Sequence, residues 1–160
     1  MRKLNNILYG IAGVVLLGSL KLQAQQTPSL LDQTFAVAET WRAMLNRSGS
    51  YAIGGEPIPN GGSIRLFISQ QLLAESAFAS VDAANPPSNI LRGILLVGEA
   101  QGVDYRGDIY AATGNASLRE GFGFSGSKFS NGIYYVYLFA YGTRDGTGAH
   151  RLHRFSFKFT

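Results

Sequence analysis

The sequence contains no cysteine and little charge. Without cysteine the chain forms neither disulfides nor thiolate metal sites, so its stability must come from packing. Charged residues make up 15% of the chain, against about a quarter in average globular domains. Glycine, by contrast, is abundant, with 20 residues, and aromatic residues reach 12%. This balance favours turn-rich β structure over a helical enzyme.

The N-terminus has the pattern of an export signal. Arg2 and Lys3 precede an apolar run over residues 7–20, and a small residue, Ala24, follows it. This arrangement predicts a cleaved secretory signal peptide over residues 1–24, because the apolar run is short for a membrane anchor. We therefore expect a bacterial protein of the periplasm, the cell surface or the extracellular space.

Removal of this signal changes the charge balance. The full chain has a formal net charge of +4, and loss of Arg2, Lys3 and Lys21 leaves 11 basic against 10 acidic residues. The remaining positive charges are scattered, apart from a group near the C-terminus. Nucleic acid is therefore not an expected partner.

Residues 25–49 carry the only extended helical pattern. Between residues 29 and 46 the apolar side chains fall on one half of a helical wheel, and Ser29 with Asp32 resembles a capping box. We predict an amphipathic helix there. Residues 34–40 also alternate, so a strand is the competing interpretation for that part.

Residues 50–160 consist of short apolar runs separated by Gly, Pro, Asn and Asp. Their spacing, without a further helical pattern, predicts about seven or eight antiparallel strands in a β-sandwich. The runs cover residues 50–54, 63–69, 72–81, 90–100, 105–113, 120–126, 133–141 and 150–160.

The run 133–141 is apolar or aromatic in both of its alternating sets. It therefore predicts a central strand covered on one face by the opposite sheet and on the other by a further element, for which helix 29–46 is the obvious candidate. In contrast, residues 150–160 alternate aromatic with basic side chains, which is typical of a half-buried edge strand.

Two longer stretches resemble a known class of module. "SIRLFISQQLLAESAFASVDA" and "EGFGFSGSKFSNGIYYVYLFAYG" are similar to segments of secreted bacterial immunoglobulin-like β-sandwich modules, over residues 50–160. The resemblance implies an all-β, antiparallel immunoglobulin-like sandwich, here with one N-terminal helix. Modules of this class bind sugars or space other domains.

The candidate ligand-binding residues lie together in one run. Asp104 and Asp108 share a face if a strand runs through both, and Tyr105 and Tyr110 accompany them. Two carboxylates are few for a calcium site, which prefers several oxygens from one loop. We name these four residues as candidate ligand-binding residues. A calcium or acid–base role, or an ordinary turn role, is the alternative for the two aspartates.

Other constellations predict no catalysis. His150 and His153 point to opposite faces of a strand, so they do not share a metal. The chain has neither a G-x-S-x-G nor a phosphate-binding motif. We predict no catalytic residue, metal or cofactor. Trp41 is interpreted as core, whereas for the tyrosines core and a sugar-stacking surface remain open.

Three functions follow from this pattern. The first is an exported, non-catalytic binding or surface module, with a glycan or another surface protein as partner. The second is a structural subunit that self-associates by strand addition at the C-terminal edge strand. The third is a small secreted hydrolase with a shallow carboxylate site.

Overall fold

The computed structural model describes residues 31–32, 34, 41–45, 50–98, 107, 110–111, 114, 121–126 and 129–160. Within them, seven strands form two antiparallel sheets. The strands are β1 (Arg42–Leu45), β2 (Tyr51–Gly55), β3 (Ser63–Ser69), β4 (Arg92–Val97), β5 (Phe122–Gly126), β6 (Gly132–Tyr141) and β7 (His150–Phe159).

The two sheets pack as a sandwich. One has the strand order β1-β2-β5 and the other β4-β3-β6-β7. Alternate residues of each sheet point inward and form a common core, because side chains on a strand alternate between its two faces. The fully buried members include Ile53 of β2, Leu66 of β3 and Leu138 of β6.

Strand β6 is buried on both faces, as its sequence predicts. Tyr134, Val136 and Leu138 belong to the core between the sheets. Tyr137 and Phe139 belong to a second cluster on the outer face of the four-stranded sheet. Strand β6 is also central in its sheet, because it pairs with β3 along one side and with β7 along the other.

The cover of the outer face differs from the prediction. The chain that connects β3 to β4 crosses this face. We call its residues 73–84 the strap, and they contain a 3₁₀ turn, Glu75–Phe78. Phe78 is 2% exposed and packs on Phe67, Tyr137 and Phe139. The strap therefore takes the place expected for the N-terminal helix, and the strand predicted over residues 72–81 is wrong.

The N-terminal prediction is corrected at its end. Arg42–Leu45 form β1 and pair with Tyr51–Gly54, so helix 29–46 does not continue through these residues. A short apolar run does not distinguish helix from strand by its periodicity, and here the pairing with β2 decides. Leu31, Asp32 and Thr34 are helical, and Leu31 packs against the core between the sheets.

The remaining strand predictions divide clearly. The predicted runs 50–54, 63–69, 90–100, 120–126, 133–141 and 150–160 correspond to β2 to β7, and β7 lies at the sheet edge as expected. In the run 105–113 the described residues Gly107, Tyr110 and Ala111 are helical, so the predicted strand is wrong at these positions. The predicted signal peptide, residues 1–24, lies outside the described residues, and no helix in the described part is long and apolar enough to cross a membrane.

Truncation of Phe78 tests the role of the strap. Phe78→Ala should lower the free energy of unfolding by about 3–5 kcal/mol, because it removes a buried ring from the outer cluster. Leu72→Ala is the matched control, since Leu72 is 60% exposed, and should change it by less than about 0.5 kcal/mol. Urea unfolding measures both, and equal effects would contradict the covering role.

Tyr51 gives a pH-dependent prediction. Burial raises its pKa from 10.0 to about 12, against the opposing charge of Arg92. The folded state thus favours the neutral phenol, and this contribution is complete below pH 10 and is lost as the pH rises towards 12. In Tyr51→Phe the alkaline loss of stability should be smaller by an amount on the order of 2 kcal/mol.

Unfolding by urea between neutral pH and pH 12 measures this difference. Tyr110→Phe is the control, because the ring of Tyr110 is 38% exposed. A Tyr51→Phe variant with the same alkaline loss as the parent protein would contradict the prediction.

Candidate functional site

A depression of the described surface lies on the outer face of the four-stranded sheet. This groove, which we call groove 1, has a volume of about 540 Å³, within the range of small-molecule sites. The strap forms one wall, loop 142–149 between β6 and β7 forms the other, and β3 and β4 form the floor. Its lining residues include Arg65, Val81, Asp82, Leu95, Asp145 and Thr147.

Arg65 is the charged residue of the floor. It stands on the outer face of β3 opposite Leu95 of β4 and Phe139 of β6. Its guanidinium donates to the Val81 carbonyl and, at 3.4 Å, to the Tyr141 hydroxyl, and it lies 5.2 Å from the centre of the Phe67 ring. These contacts fix the guanidinium in position, and further N–H donors remain for a ligand because the group has five.

Asp82 is held by the turn that follows it. The Asn85 amide donates to Asp82 Oδ2 at 2.9 Å, and the Ala84 backbone N–H donates to Oδ1 at 2.9 Å. These bonds, with a smaller contribution from the charge of Arg65, hold the pKa of Asp82 below its ordinary value of 3.8. Each oxygen retains a lone pair for a further hydrogen bond.

Asp145 is fixed in the same way on the opposite wall. The Thr147 hydroxyl donates to Asp145 Oδ1 at 2.7 Å, and the Thr147 backbone N–H donates to the same atom at 3.2 Å. The pKa of Asp145 is therefore also held below 3.8, chiefly by the Thr147 hydroxyl.

Loop 142–149 is itself anchored to the sheet. The Arg144 guanidinium donates to the Gly98 carbonyl at 2.7 Å, and the Ser63 hydroxyl donates to the Thr143 carbonyl. Gly146 has a φ of 68°, and a Cβ at this residue would lie 2.9 Å from Arg65 Cδ. The loop therefore approaches the floor closely because residue 146 is glycine.

A second depression, groove 2, of about 310 Å³, lies over β6 and the start of β7. It is lined mainly by apolar and aromatic residues, and its polar groups include the imidazole of His150 and the carboxylate of Glu75. His150 Nε2 lies 2.7 Å from Glu75 Oε1, and the His150 ring contacts Phe139 and Tyr141 at centroid distances of 5.3 and 5.0 Å.

Of the four ligand-binding residues predicted from the sequence, the structure describes Tyr110, which lines neither groove 1 nor groove 2. Tyr110 is 38% exposed on a helical segment, and its carbonyl accepts a bond from the Gly114 N–H at 2.8 Å. Asp104, Tyr105 and Asp108 lie outside the described residues. The strand on which the shared face of the two aspartates depended is replaced by helical structure at the described positions of this run.

The other aromatic candidates belong to the interior. Tyr134, Tyr137 and Tyr141 are at most 5% exposed. At these positions the tyrosines are therefore core residues and not a sugar-stacking surface. Trp41 packs against the core as predicted, with its ring stacked on Phe155 at a centroid distance of 3.2 Å, although it precedes a strand and does not lie on a long helix.

The histidines and acids do not assemble a metal centre in the described part of the chain. His150 contacts the outer cluster, whereas His153 lies beside Trp41, so the two point to opposite faces as predicted. Among the described residues no group of three metal-ligating side chains occurs.

Sequence reasoning missed the residues of groove 1. Arg65 is the single charged residue within the apolar run "SIRLFIS". This isolated charge is the sequence signal that could have identified it. Asp82 and Asp145 stand in ordinary turn sequences, "DAAN" and "RDGTG". Nothing in those turns indicates that the sheet brings them to one groove.

The arrangement presents fixed acceptors and one fixed donor group around a partly apolar floor. Both carboxyls favour the ionised form, so they accept hydrogen bonds, while the guanidinium donates them. Comparison with protein-family models, curated proteins and solved structures finds no match for this chain.

Replacement of Thr147 tests how Asp145 is fixed. In Thr147→Val the pKa of Asp145 should rise towards 3.8, because the variant lacks the hydroxyl donor but keeps its shape and its backbone N–H. Carboxyl NMR titration measures this pKa, and Asp82 in the same spectrum is the internal control. An unchanged Asp145, or an equal shift of Asp82, would contradict this account.

Proposed function

We propose that this chain is an exported, non-catalytic module that binds a glycan in groove 1. The observation that carries the proposal is the juxtaposition of Arg65, Asp82 and Asp145, each held by its own hydrogen bonds, around an apolar floor. Polar groups fixed before binding lose little conformational freedom when a ligand arrives.

The ionisation of the two carboxyls favours binding over hydrolysis. Glycoside hydrolysis generally uses one carboxyl that stays protonated to act as an acid, with its pKa raised. Asp82 and Asp145 both have lowered pKa values. They are therefore suited to accept hydrogen bonds from a ligand rather than to protonate a leaving group.

The chemistry of the groove matches a polyhydroxylated ligand. Hydroxyl groups donate to carboxylates and accept from a guanidinium, so one sugar ring satisfies both kinds of partner. The less polar C–H face of the ring can lie on Leu95, which lines the same groove and is 38% exposed. Small-molecule sites commonly combine such apolar lining with a few well-placed polar groups.

The strand order supports an immunoglobulin-like module. In the constant-type immunoglobulin sandwich, strands numbered along the chain form one sheet in the order 1-2-5-4 and another in the order 3-6-7. Here the orders are 1-2-5 and 4-3-6-7. The single difference is the fourth strand, which pairs with β3.

The competing function, self-assembly through β7, has one supporting and one opposing feature. Among the described residues β7 pairs only with β6, so its outer edge is a candidate for strand addition. However, the charged residues of β7, Arg151, Arg154 and Lys158, are all basic. An antiparallel second copy centred on residue 154 would place Arg154 opposite its counterpart, which is unfavourable.

Glycan binding with paired glycine variants tests the proposal. The probes are immobilised mono- to hexasaccharides of glucose, N-acetylglucosamine, galactose and mannose. The parent protein should bind at least one series. Gly146→Ala should weaken this binding about tenfold or more, because its Cβ displaces Arg65, whereas Gly148→Ala should leave it within about twofold.

The two variants are matched in backbone cost. Both glycines have positive φ values, of 68° and 83°, so both substitutions should lower stability by about 1 kcal/mol. No atoms lie within 4 Å of a Cβ built at Gly148. Absence of binding to all four sugars, or equal binding by both variants, would contradict the proposed site.

A further inference from the structure

Groove 1 and groove 2 share the strap as one wall. The strap contributes Asp82 and Ala84 to groove 1 and Glu75 and Ala79 to groove 2. Loop 142–149 lines groove 1, and His150, the first residue of β7 after this loop, lines groove 2. The two depressions are thus neighbours along the strap, and we call them together the cleft.

Their floors are also continuous. The outer-face residues Leu95, Arg65 and Phe139 are direct cross-strand neighbours on β4, β3 and β6. Tyr141 lines groove 2, and its hydroxyl accepts a hydrogen bond from Arg65 of groove 1 at 3.4 Å. Arg65 and Tyr141 therefore form the junction between the grooves.

The length and the lining of this cleft restrict its ligand. Four strands lie side by side from β4 to β7, and three spacings between neighbouring strands amount to about 14 Å. One sugar ring does not fill this distance. Groove 1 offers charged hydrogen-bonding groups, whereas groove 2 offers mainly aromatic and apolar surface.

We propose that the ligand is an oligosaccharide that lies across the four strands, with one sugar in groove 1 and a later sugar in groove 2. This inference rests on the proposed function. It makes groove 2 a determinant of ligand length, since only a chain that passes the junction of Arg65 and Tyr141 reaches it.

Three blocking variants on the strap test this inference, because each adds the same ring at an exposed alanine. Ala84→Phe fills groove 1, Ala79→Phe fills groove 2, and Ala74→Phe is the control, since Ala74 lines neither groove. Binding of mono- to hexasaccharides of the four sugars is measured by calorimetry.

For the parent protein and Ala74→Phe, affinity should rise about tenfold between the disaccharide and the tetrasaccharide of a series that binds. Ala79→Phe should abolish this rise but bind the monosaccharide as the parent does. Ala84→Phe should weaken binding at every length.

The outcomes separate the two proposals. Affinity that does not depend on length, or a rise with length that persists in Ala79→Phe, overturns the two-groove inference and leaves glycan binding in groove 1 intact. Failure of all four series to bind overturns the proposed function itself. Thermal unfolding of each variant checks that the strap remains folded.

Discussion

The double burial of β6 is the constraint on which the rest of the structure depends. A strand that is apolar on both faces needs a cover on each, because exposed aromatic surface is unfavourable in water. The opposite sheet covers one face and cannot reach the other. The chain between β3 and β4 meets this requirement by crossing the sheet instead of turning tightly, and the strap is the result.

The candidate site is a consequence of this cover. The strap lies over β3 and β6 but leaves the β4 side and the start of β7 partly open. Arg65 stands where the strap ends, and its bond to the Val81 carbonyl joins the cover to the sheet. One guanidinium therefore contributes both to the packing of the outer face and to the polar lining of groove 1.

The predictable part of the fold was the part governed by local pattern. Alternation and turn residues located β2 to β7, and the two apolar sets of β6 identified its double burial. Local pattern failed for residues 72–81, because a strap and a strand can carry the same apolar residues when the cover is a tertiary contact. It also failed at Arg42–Leu45, where pairing with β2 outweighed helical periodicity.

The candidate site was much less predictable, because its residues are far apart in sequence. Asp82 and Asp145 meet at groove 1 only through the pairing of β4, β3 and β6, which no short motif encodes. Sequence reasoning instead selected Asp104, Tyr105, Asp108 and Tyr110, which are neighbours along the chain. Neighbours are what a sequence displays, whereas the strand register decides which distant side chains share a surface.

The strap also has a consequence for partial unfolding. It is held to the sheet by a few side-chain contacts, among them those of Arg65, Tyr137 and Phe78, and not by a β-ladder. Segments of this kind can detach while the rest of a domain stays folded. Detachment here would uncover a row of aromatic rings on an otherwise intact sandwich. A near-native species with this exposed aromatic surface would associate with other molecules. Aggregation would then begin at a rate set by the local release of the strap rather than by global unfolding.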